Sequence, residues 1–159
     1  MSRAQLLEGI FTTLQTDTTL PGILGIPVSQ NPRIMRGYPQ LQNLLTTGYE
    51  PASTDAWLVI LEPDPYPTSM TAQYESAWEV IEVHFAVFGV RYQTAEDVMD
   101  VLDSYWHWTV DQQRDVQYGD LILLGSRRYR VSEEYAQDVK LPKKSMAYRM
   151  RWTLETQHA

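Results

Sequence analysis

The sequence predicts an α+β fold in which a mainly antiparallel sheet has its helices packed on one face. Two stretches carry apolar residues at helical spacing, one near the N-terminus and one in the middle of the chain. Other stretches alternate apolar and polar residues, as half-buried strands do. The order is helix, two strands, helix and about three strands, which favours an α+β arrangement. A chain of 159 residues fits one domain, residues 1–159.

The first predicted element is a helix that ends near Thr16. Ser2 and Gln5 have the spacing of a capping box. Beyond them, apolar side chains recur on one helical face: Leu6, Leu7, Ile10, Phe11 and Leu14. The Leu-Pro-Gly cluster at residues 20–22 is a typical helix breaker, so we expect no helix to continue through it.

Residues 26–56 are predicted to form a long loop or insertion. Five prolines lie between residues 21 and 56, and no apolar periodicity runs through the segment. A loop of this length is uncommon in a compact domain unless it has a function. A short apolar patch at residues 41–45 is expected to form a helical turn within it.

Two strands are predicted next. Residues 57–62 form the first strand, which ends at the alternating prolines of residues 63–67 because proline cannot donate to a ladder. The second strand begins near Trp78. Its apolar residues have a period of two: Ile81, Val83, Phe85 and Val87.

After Gly89 the apolar period becomes helical and predicts a helix over residues 94–110. One face of this helix is apolar: Val98, Val101, Leu102, Tyr105 and Trp106. Thr94 is placed to cap it, and Asp97 lies in the first turn, where a carboxylate interacts favourably with the helix dipole.

The C-terminal third is predicted to be a hairpin, a polar loop and a last strand. Residues 121–124 and 129–134 pair around Gly125-Ser126, and residues 137–145 form the loop. The last strand shows the clearest alternation in the chain. One side carries Met146, Tyr148, Met150, Trp152 and Leu154, and the other Ala147, Arg149, Arg151, Thr153 and Glu155.

The formal net charge of −7 is unevenly distributed. Residues 1–113 contain four basic and fourteen acidic residues, whereas residues 114–159 contain nine basic and six acidic ones. An acid-rich body beside a basic C-terminal sheet could bring unlike surfaces of identical subunits together. The alternative is that the uneven charge is simply solvated.

Composition and motifs exclude several classes of site. The chain has no cysteine, so disulfides, thiol nucleophiles and thiolate metal sites are absent. The N-terminus lacks the pattern of a signal peptide, and no apolar run is long enough to span a bilayer. His84, His107 and His158 have no metal-ligand spacing, and no nucleotide-binding or hydrolase motif is present. We therefore predict no catalytic residue, no metal and no cofactor.

Two groups of polar residues have a structural and a chemical interpretation. The acidic residues of the central helix are expected to be mostly a solvated face rather than a metal site: Glu96, Asp97, Asp100 and Asp103. His84 lies beside Glu82 on the less apolar face of its strand and is expected to form a hydrogen bond or to contact solvent. The competing hypothesis is a small enzyme or ligand-binding pocket around His84, Glu82 and Trp78.

The basic residues of the C-terminal third form the candidate protein interface. They are Arg127, Arg128, Arg130, Arg149, Arg151, Lys140, Lys143 and Lys144. Arginine is enriched in protein interfaces. With Tyr129 among them a nucleic-acid surface is an alternative, but the acidic total disfavours it. Plain solvated strand faces are a further alternative.

The order of elements resembles the tail terminator, or tail-completion, proteins of long-tailed bacteriophages. The features that carry the resemblance are the N-terminal helix with its following small loop, the strand at residues 57–62, the strand–glycine–helix unit at residues 80–108, and the final strand. That final strand reads Met146-Ala147-Tyr148-Arg149-Met150-Arg151-Trp152.

The resemblance implies a virion structural protein of the phage neck, not an enzyme. Its subunits would close into a hexameric ring on the tail tube protein, stop tube polymerisation and offer a docking surface to the head-side connector or stopper. It would be assembled in the host cytoplasm, with no membrane and no cofactor, and DNA would pass through the lumen without specific binding. Stopper and adaptor proteins of the neck, and tail-tube or baseplate subunits, are the alternatives.

Overall fold

The structure is a computed structural model, and it describes residues 2–25, 34–36, 55–61, 64–65, 79–109 and 116–154. Within these residues the helices are α1 (Ser2–Thr16), α2 (Leu20–Leu24) and α3 (Tyr92–Trp106). The strands are β1 (Ile34–Arg36), β2 (Ala56–Ile60), β3 (Asp64–Pro65), β4 (Glu79–Gly89), β5 (Val116–Tyr118), β6 (Leu121–Ala136) and β7 (Leu141–Leu154). None of the described helices is long and apolar enough to cross a bilayer.

The described strands form one sheet in the order β1-β2-β4-β7-β6-β5, and β3 pairs with β4 beside this path. The β1–β2 pair is parallel, and the other described pairs are antiparallel. The predicted α+β fold with a mainly antiparallel sheet is therefore confirmed.

The main core lies between the sheet and the helices. Phe85 of β4 stacks on Trp106 of α3, with ring centroids 5.6 Å apart, and meets the edge of the Tyr148 ring at 5.5 Å. All three side chains are buried, because the period-two stripes of β4 and β7 face the apolar stripe of α3. We call this side of the sheet the helix face.

Helix α1 contacts both end strands of the sheet. At one end Glu8 pairs with Arg36 of β1 at 2.7 Å, and at the other the Gln5 amide donates to Asp120, beside β5, at 2.6 Å. These polar contacts are exposed and add little stability, but they show that one helix bridges the curled sheet from edge to edge. The buried side chains of α1 close the core beneath it: Leu6, Leu7, Ile10 and Leu14.

A second, smaller core lies on the opposite side of the sheet. There Trp57 and Phe88 face each other across β2 and β4, and both side chains are 1% exposed. Val139 and Leu141, at the end of the β6–β7 hairpin, are buried against the same cluster. The hairpin end is thus packed against β4, the neighbour of β7, and against β2 beyond it.

Several predictions for the N-terminal half need correction. The helix to Thr16 is confirmed, and the Gln5 amide N–H donates to Asp120, a contact that was not predicted. Residues 20–22 were predicted to be a helix breaker, but they form the first turn of α2. Proline is tolerated in the first turn of a helix. The predicted loop at residues 26–56 contains strand β1, whereas the predicted turn at residues 41–45 lies outside the described residues.

The unit that joins β4 to α3 is confirmed, with different ends. The helix begins at Tyr92, two residues before Thr94, and Arg91 occupies the N-cap position, so Thr94 is not the cap. Asp97 accepts a hydrogen bond from the Gln93 amide at 2.9 Å. The proline-rich connection was also predicted to be unpaired, but Asp64–Pro65 pairs with β4.

The predicted hairpin around Gly125-Ser126 is wrong. Strand β6 continues through these residues. Its pairing with β7 is irregular at two places, between Leu123 and Gly125 and between Arg128 and Arg130, and each irregularity accommodates one extra residue of β6. The turn lies at residues 137–140, where Lys140 has a φ of 56°. Lys143 and Lys144 therefore belong to β7 and not to a loop.

The alternation predicted for the last strand is confirmed, although Ala147 and Thr153 on the predicted polar face are buried. Met146, Tyr148 and Met150 are buried on the helix face, whereas Arg149 and Arg151 are exposed on the other. Strand β5, a short element before β6, had no counterpart in the prediction.

Candidate interaction surface

Four of the predicted interface residues lie together on the side of the sheet opposite the helix face. Arg127 of β6 faces Arg149 of β7, Gly125 faces Arg151, and Arg130 faces Ala147. The four arginines are exposed, and two of them, Arg130 and Arg149, lie against the Tyr129 ring. We call the surface formed by Arg127, Tyr129, Arg130, Arg149 and Arg151 the arginine face.

A β-bulge builds the centre of this surface. The register between β6 and β7 shifts between Arg128 and Arg130, so Tyr129 is the extra residue. A bulge re-aims a side chain that regular alternation would place differently. Here it brings Tyr129 and Arg130 to the same side of the strand, with the Arg130 guanidinium 5.8 Å from the Tyr129 ring centroid.

Tyr129 holds the neighbouring arginine in place. The Arg149 guanidinium lies over the Tyr129 ring, 4.0 Å from its centroid, which is a cation–π contact. The Tyr129 hydroxyl hydrogen-bonds to Glu82, and partial burial together with this carboxylate raises the pKa of Tyr129. The hydroxyl therefore remains a donor at neutral pH.

Glu82 is the acidic anchor of the arginine face. Its side chain is 16% exposed, and it contacts His84 at 3.2 Å and Arg149 at 3.6 Å as well as the Tyr129 hydroxyl. Burial alone would raise its pKa, but the hydrogen bonds from Tyr129 and His84 and the nearby positive charges hold the pKa of Glu82 below its usual value. The ionised Glu82 carboxylate thus lies 3.6 Å from Arg149 and balances its charge.

Arg128 points to the opposite side of the sheet. Its guanidinium pairs with Asp103 of α3 at 2.5 Å, and its backbone N–H donates to Nδ1 of His107 at 3.0 Å. Arg128 therefore helps to fix α3 on the sheet. The prediction that the acidic residues of α3 are mostly solvated is wrong for Asp103, which is partly buried between Arg128 and Tyr148.

Lys144 also lies on the helix face and is 4% exposed. It pairs with Glu96 of α3 and with Glu133 of β6, the latter at 3.4 Å. Burial would lower its pKa, but the two carboxylates outweigh burial and raise the pKa of Lys144. Glu96 is therefore a second exception to the predicted solvated helix face.

The other two lysines lie near the end of the β6–β7 hairpin. Lys143 pairs with Glu134 at 3.0 Å and lies 5.7 Å from the Phe88 ring centroid. Lys140 is exposed in the turn. The eight predicted interface residues thus divide into four on the arginine face, two on the helix face and two at the hairpin end.

The competing pocket around His84 and Glu82 has a structural explanation. His84 forms a hydrogen bond, one of its two expected environments, and its partner is Glu82 at 3.2 Å, which also contacts Tyr129 and Arg149. Trp78, the third residue of that hypothesis, lies outside the described residues. In the part of the chain that the structure describes, no group of three or more acidic or histidine side chains could hold a metal ion.

The arginine face has the chemistry of a binding surface. Guanidinium groups stacked on an aromatic ring and backed by one satisfied carboxylate present planar donors to carboxylates or phosphates. Sequence reasoning found the arginines, but it missed Tyr129 as their support and Glu82 as their anchor. The Tyr129 position depends on a bulge, for which the sequence gives no separate signal.

No protein-family model matches this chain, and neither does any curated protein. Among solved structures, its fold is similar to that of a chain in the particle described as "Virion of native gene transfer agent (GTA) particle". The similarity covers 91% of this chain and 91% of that chain, with a TM-score of 0.62 and 13% sequence identity. At this identity the comparison shows a shared fold.

Proposed function

We propose that this protein is a virion structural protein of a tailed phage or phage-like particle, and that it is the tail terminator at the neck. The observation that carries the proposal is the fold similarity to a chain of a gene transfer agent virion over 91% of both chains. The order of elements, which resembles tail terminators, supports the narrower role. In that role the protein resides in the finished particle and is assembled in the host cytoplasm.

The proposed assembly is a hexameric ring that caps the tail tube protein and binds the head-side connector or stopper. A ring joins two different surfaces of each subunit. The arginine face is a candidate for one of them, and acid-rich surface of the N-terminal part is a candidate for the other, since opposite potentials guide association. Such a protein needs neither a catalytic residue nor a cofactor, and DNA would pass through the ring without specific contacts.

Deleting the gene in a producing strain and imaging the particles tests the role directly. If the ring stops tube growth, the deletion gives overlong tails without heads, and supplying the wild-type chain restores normal particles. Headless tails of normal length would favour a stopper or adaptor, and a lack of tails would favour a tube or baseplate subunit. Normal, infective particles would contradict any role in the virion.

A further inference from the structure

Among the described residues, the outer edge of β6 carries no partner strand from Tyr129 to Ala136, whereas further back the Ser126 carbonyl accepts from the Trp108 N–H and the Arg128 N–H donates to His107. Strand β5 pairs only with Leu121, Ile122 and Leu123, and β7 occupies the other side of β6. Among the described strands, none lies outside residues 129–136. Val131 and Tyr135 in this segment are 39% and 51% exposed. Such an edge presents a row of backbone donors and acceptors to any strand that fits it.

The charges on this edge are arranged with opposite signs about Ser132. Arg130 precedes Ser132 by two residues and Glu134 follows it by two. All three face the same side, as their partners Ala147, Ser145 and Lys143 on β7 do. All three are exposed. Read in the reverse direction, the segment is therefore complementary to itself.

We propose that two copies of this chain pair through the outer edges of β6, antiparallel, about a two-fold axis at Ser132. In this register Ser132 faces its own copy, and Arg130 of each chain faces Glu134 of the other. Directly opposite residues of an antiparallel pair lie on the same face, so each Arg130–Glu134 pair is in contact range. The two-fold axis produces two such pairs from one register.

Two other symmetric registers are disfavoured by charge. A two-fold axis at Arg130 would place this arginine opposite Arg130 of the second chain. An axis at Glu133 would place the two copies of Glu133 opposite each other. Like charges directly opposite one another in an antiparallel pair are destabilising. Glu134 already contacts Lys143 within its own chain at 3.0 Å. A carboxylate has two oxygens and several acceptor positions, so this ion pair is compatible with a second cationic partner.

This inference goes beyond the proposed function. A ring uses two different surfaces of each subunit, whereas this contact uses the same strand edge twice and closes after two copies. It provides the free chain with a way to cover an edge that would otherwise invite uncontrolled strand pairing. Of the arginine face, only Arg130 takes part in this contact.

A single-cysteine experiment tests the register. The chain has no cysteine, so Ser132→Cys introduces the only thiol. Directly opposite Cα atoms in an antiparallel pair lie about 4.5–5.5 Å apart, within the range that a disulfide spans. Under mild oxidation Ser132→Cys should give a covalent dimer on a non-reducing gel. The control is Ser104→Cys, an exposed serine on α3, and equal cross-linking of the two variants would overturn the register.

A charge-exchange experiment tests the contact itself. Arg130→Glu and Glu134→Arg each place like charges opposite one another, and each should weaken dimerisation at least about tenfold in sedimentation velocity. An equimolar mixture of the two variants restores both opposite-charge pairs and should dimerise again. Circular dichroism confirms that each variant is folded. A wild-type chain that stays monomeric, or single variants that dimerise like the wild type, would overturn the proposal.

These outcomes are separable from the proposed function. Loss of the β6 contact removes a two-chain species in solution, whereas a failed terminator role appears as normal tails in the gene deletion.

Discussion

The hydroxyl of Tyr148 donates a hydrogen bond to Oδ1 of Asp103 at 2.6 Å and thereby ties the middle of β7 to α3. The second oxygen of Asp103 accepts from Arg128 of β6 at 2.5 Å. Burial and the Asp103 carboxylate both raise the pKa of Tyr148, which keeps the hydroxyl protonated. One carboxylate therefore joins the helix to two neighbouring strands.

Removing this carboxylate should cost more stability than removing the hydroxyl. Asp103→Ala leaves the buried Tyr148 hydroxyl and the partly buried Arg128 without their acceptor, and we expect a loss of about 2–4 kcal/mol. Tyr148→Phe removes one hydrogen bond and should cost about 1–2 kcal/mol. Urea unfolding followed by tryptophan fluorescence measures both. Asp100→Ala, at an exposed position of the same helix, is the control, and an equal effect there would contradict this role of Asp103.

Gly9 is required where α1 meets β5. A Cβ built on Gly9 would lie 2.2–2.7 Å from atoms of the Tyr118 ring, closer than any real contact. The Tyr118 hydroxyl accepts a hydrogen bond from the Trp106 indole N–H at 3.2 Å, and this bond restrains the Tyr118 ring from moving away from α1. Gly9→Ala should therefore destabilise the protein by about 1–3 kcal/mol, measured as a lower urea midpoint.

A second helical glycine supplies the matched control for Gly9. A Cβ on Gly22 of α2 meets nothing within 4 Å. Gly22→Ala should therefore stabilise the protein by about 0.5–1 kcal/mol, because alanine loses less backbone entropy on folding. If both substitutions changed the free energy of unfolding in the same direction, the close approach of Tyr118 to α1 would not be the cause of the Gly9 effect.

Asp17 should make stability depend on acid pH. It accepts hydrogen bonds from the backbone of Thr19 and Leu20 and from the Thr19 and Tyr105 hydroxyls. Burial would raise its pKa, but these hydrogen bonds hold the pKa of Asp17 below the ordinary 3.8. Its contribution is therefore present above the ordinary pKa and is lost as the pH falls through the lower folded value. Asp17→Asn should lose less thermal stability than the wild type between about pH 5 and pH 2. Parallel melting curves would contradict this.

Tyr105 should make stability depend on alkaline pH. Burial and the hydrogen bond to Asp17 raise the pKa of Tyr105 to about 12. The unfolded chain releases this proton near pH 10, so the folded state binds more protons and loses stability as the pH rises above about 10. Tyr105→Phe should show a smaller loss in melting temperature between about pH 10 and pH 12. Other tyrosines titrate in both proteins, so the difference between the curves isolates Tyr105.

The elements that could be predicted from the sequence are those long enough to show a full apolar periodicity within the element itself. The stripe of β7 and the apolar face of α3 each alternate with the correct period, and both proved to be buried. Strand β1 contributes only three residues, too few to show a period of two. Gly125-Ser126 resembled a turn because its backbone propensities are local, whereas the pairing with β7 that overrides them is not.

The candidate site was predictable only in its charged residues. Asp103 was grouped with Asp97 and Asp100 by helical spacing, but its partners Arg128 and Tyr148 are 25 and 45 residues away in the chain. The separation of Arg128 from Arg127 follows from strand alternation, which requires the correct strand bounds. Because the predicted hairpin interrupted β6, the two faces of its arginines were not distinguished.

Charge reversal on the arginine face tests whether it takes part in assembly. Arg127 is exposed, so Arg127→Glu should change the free energy of unfolding by no more than about 0.5 kcal/mol. If the face binds an acidic partner surface, the same variant should lower the yield of complete particles at least about tenfold when it complements a gene deletion, because like charges now meet.

Arg91→Glu makes the same charge change at an exposed position before α3, away from this face. If Arg127→Glu complemented as well as Arg91→Glu, the arginine face would be a solvated surface and another part of the subunit would form the contact. A selective defect in a folded chain is the result that links the bulge at Tyr129, which gathers these side chains, to assembly.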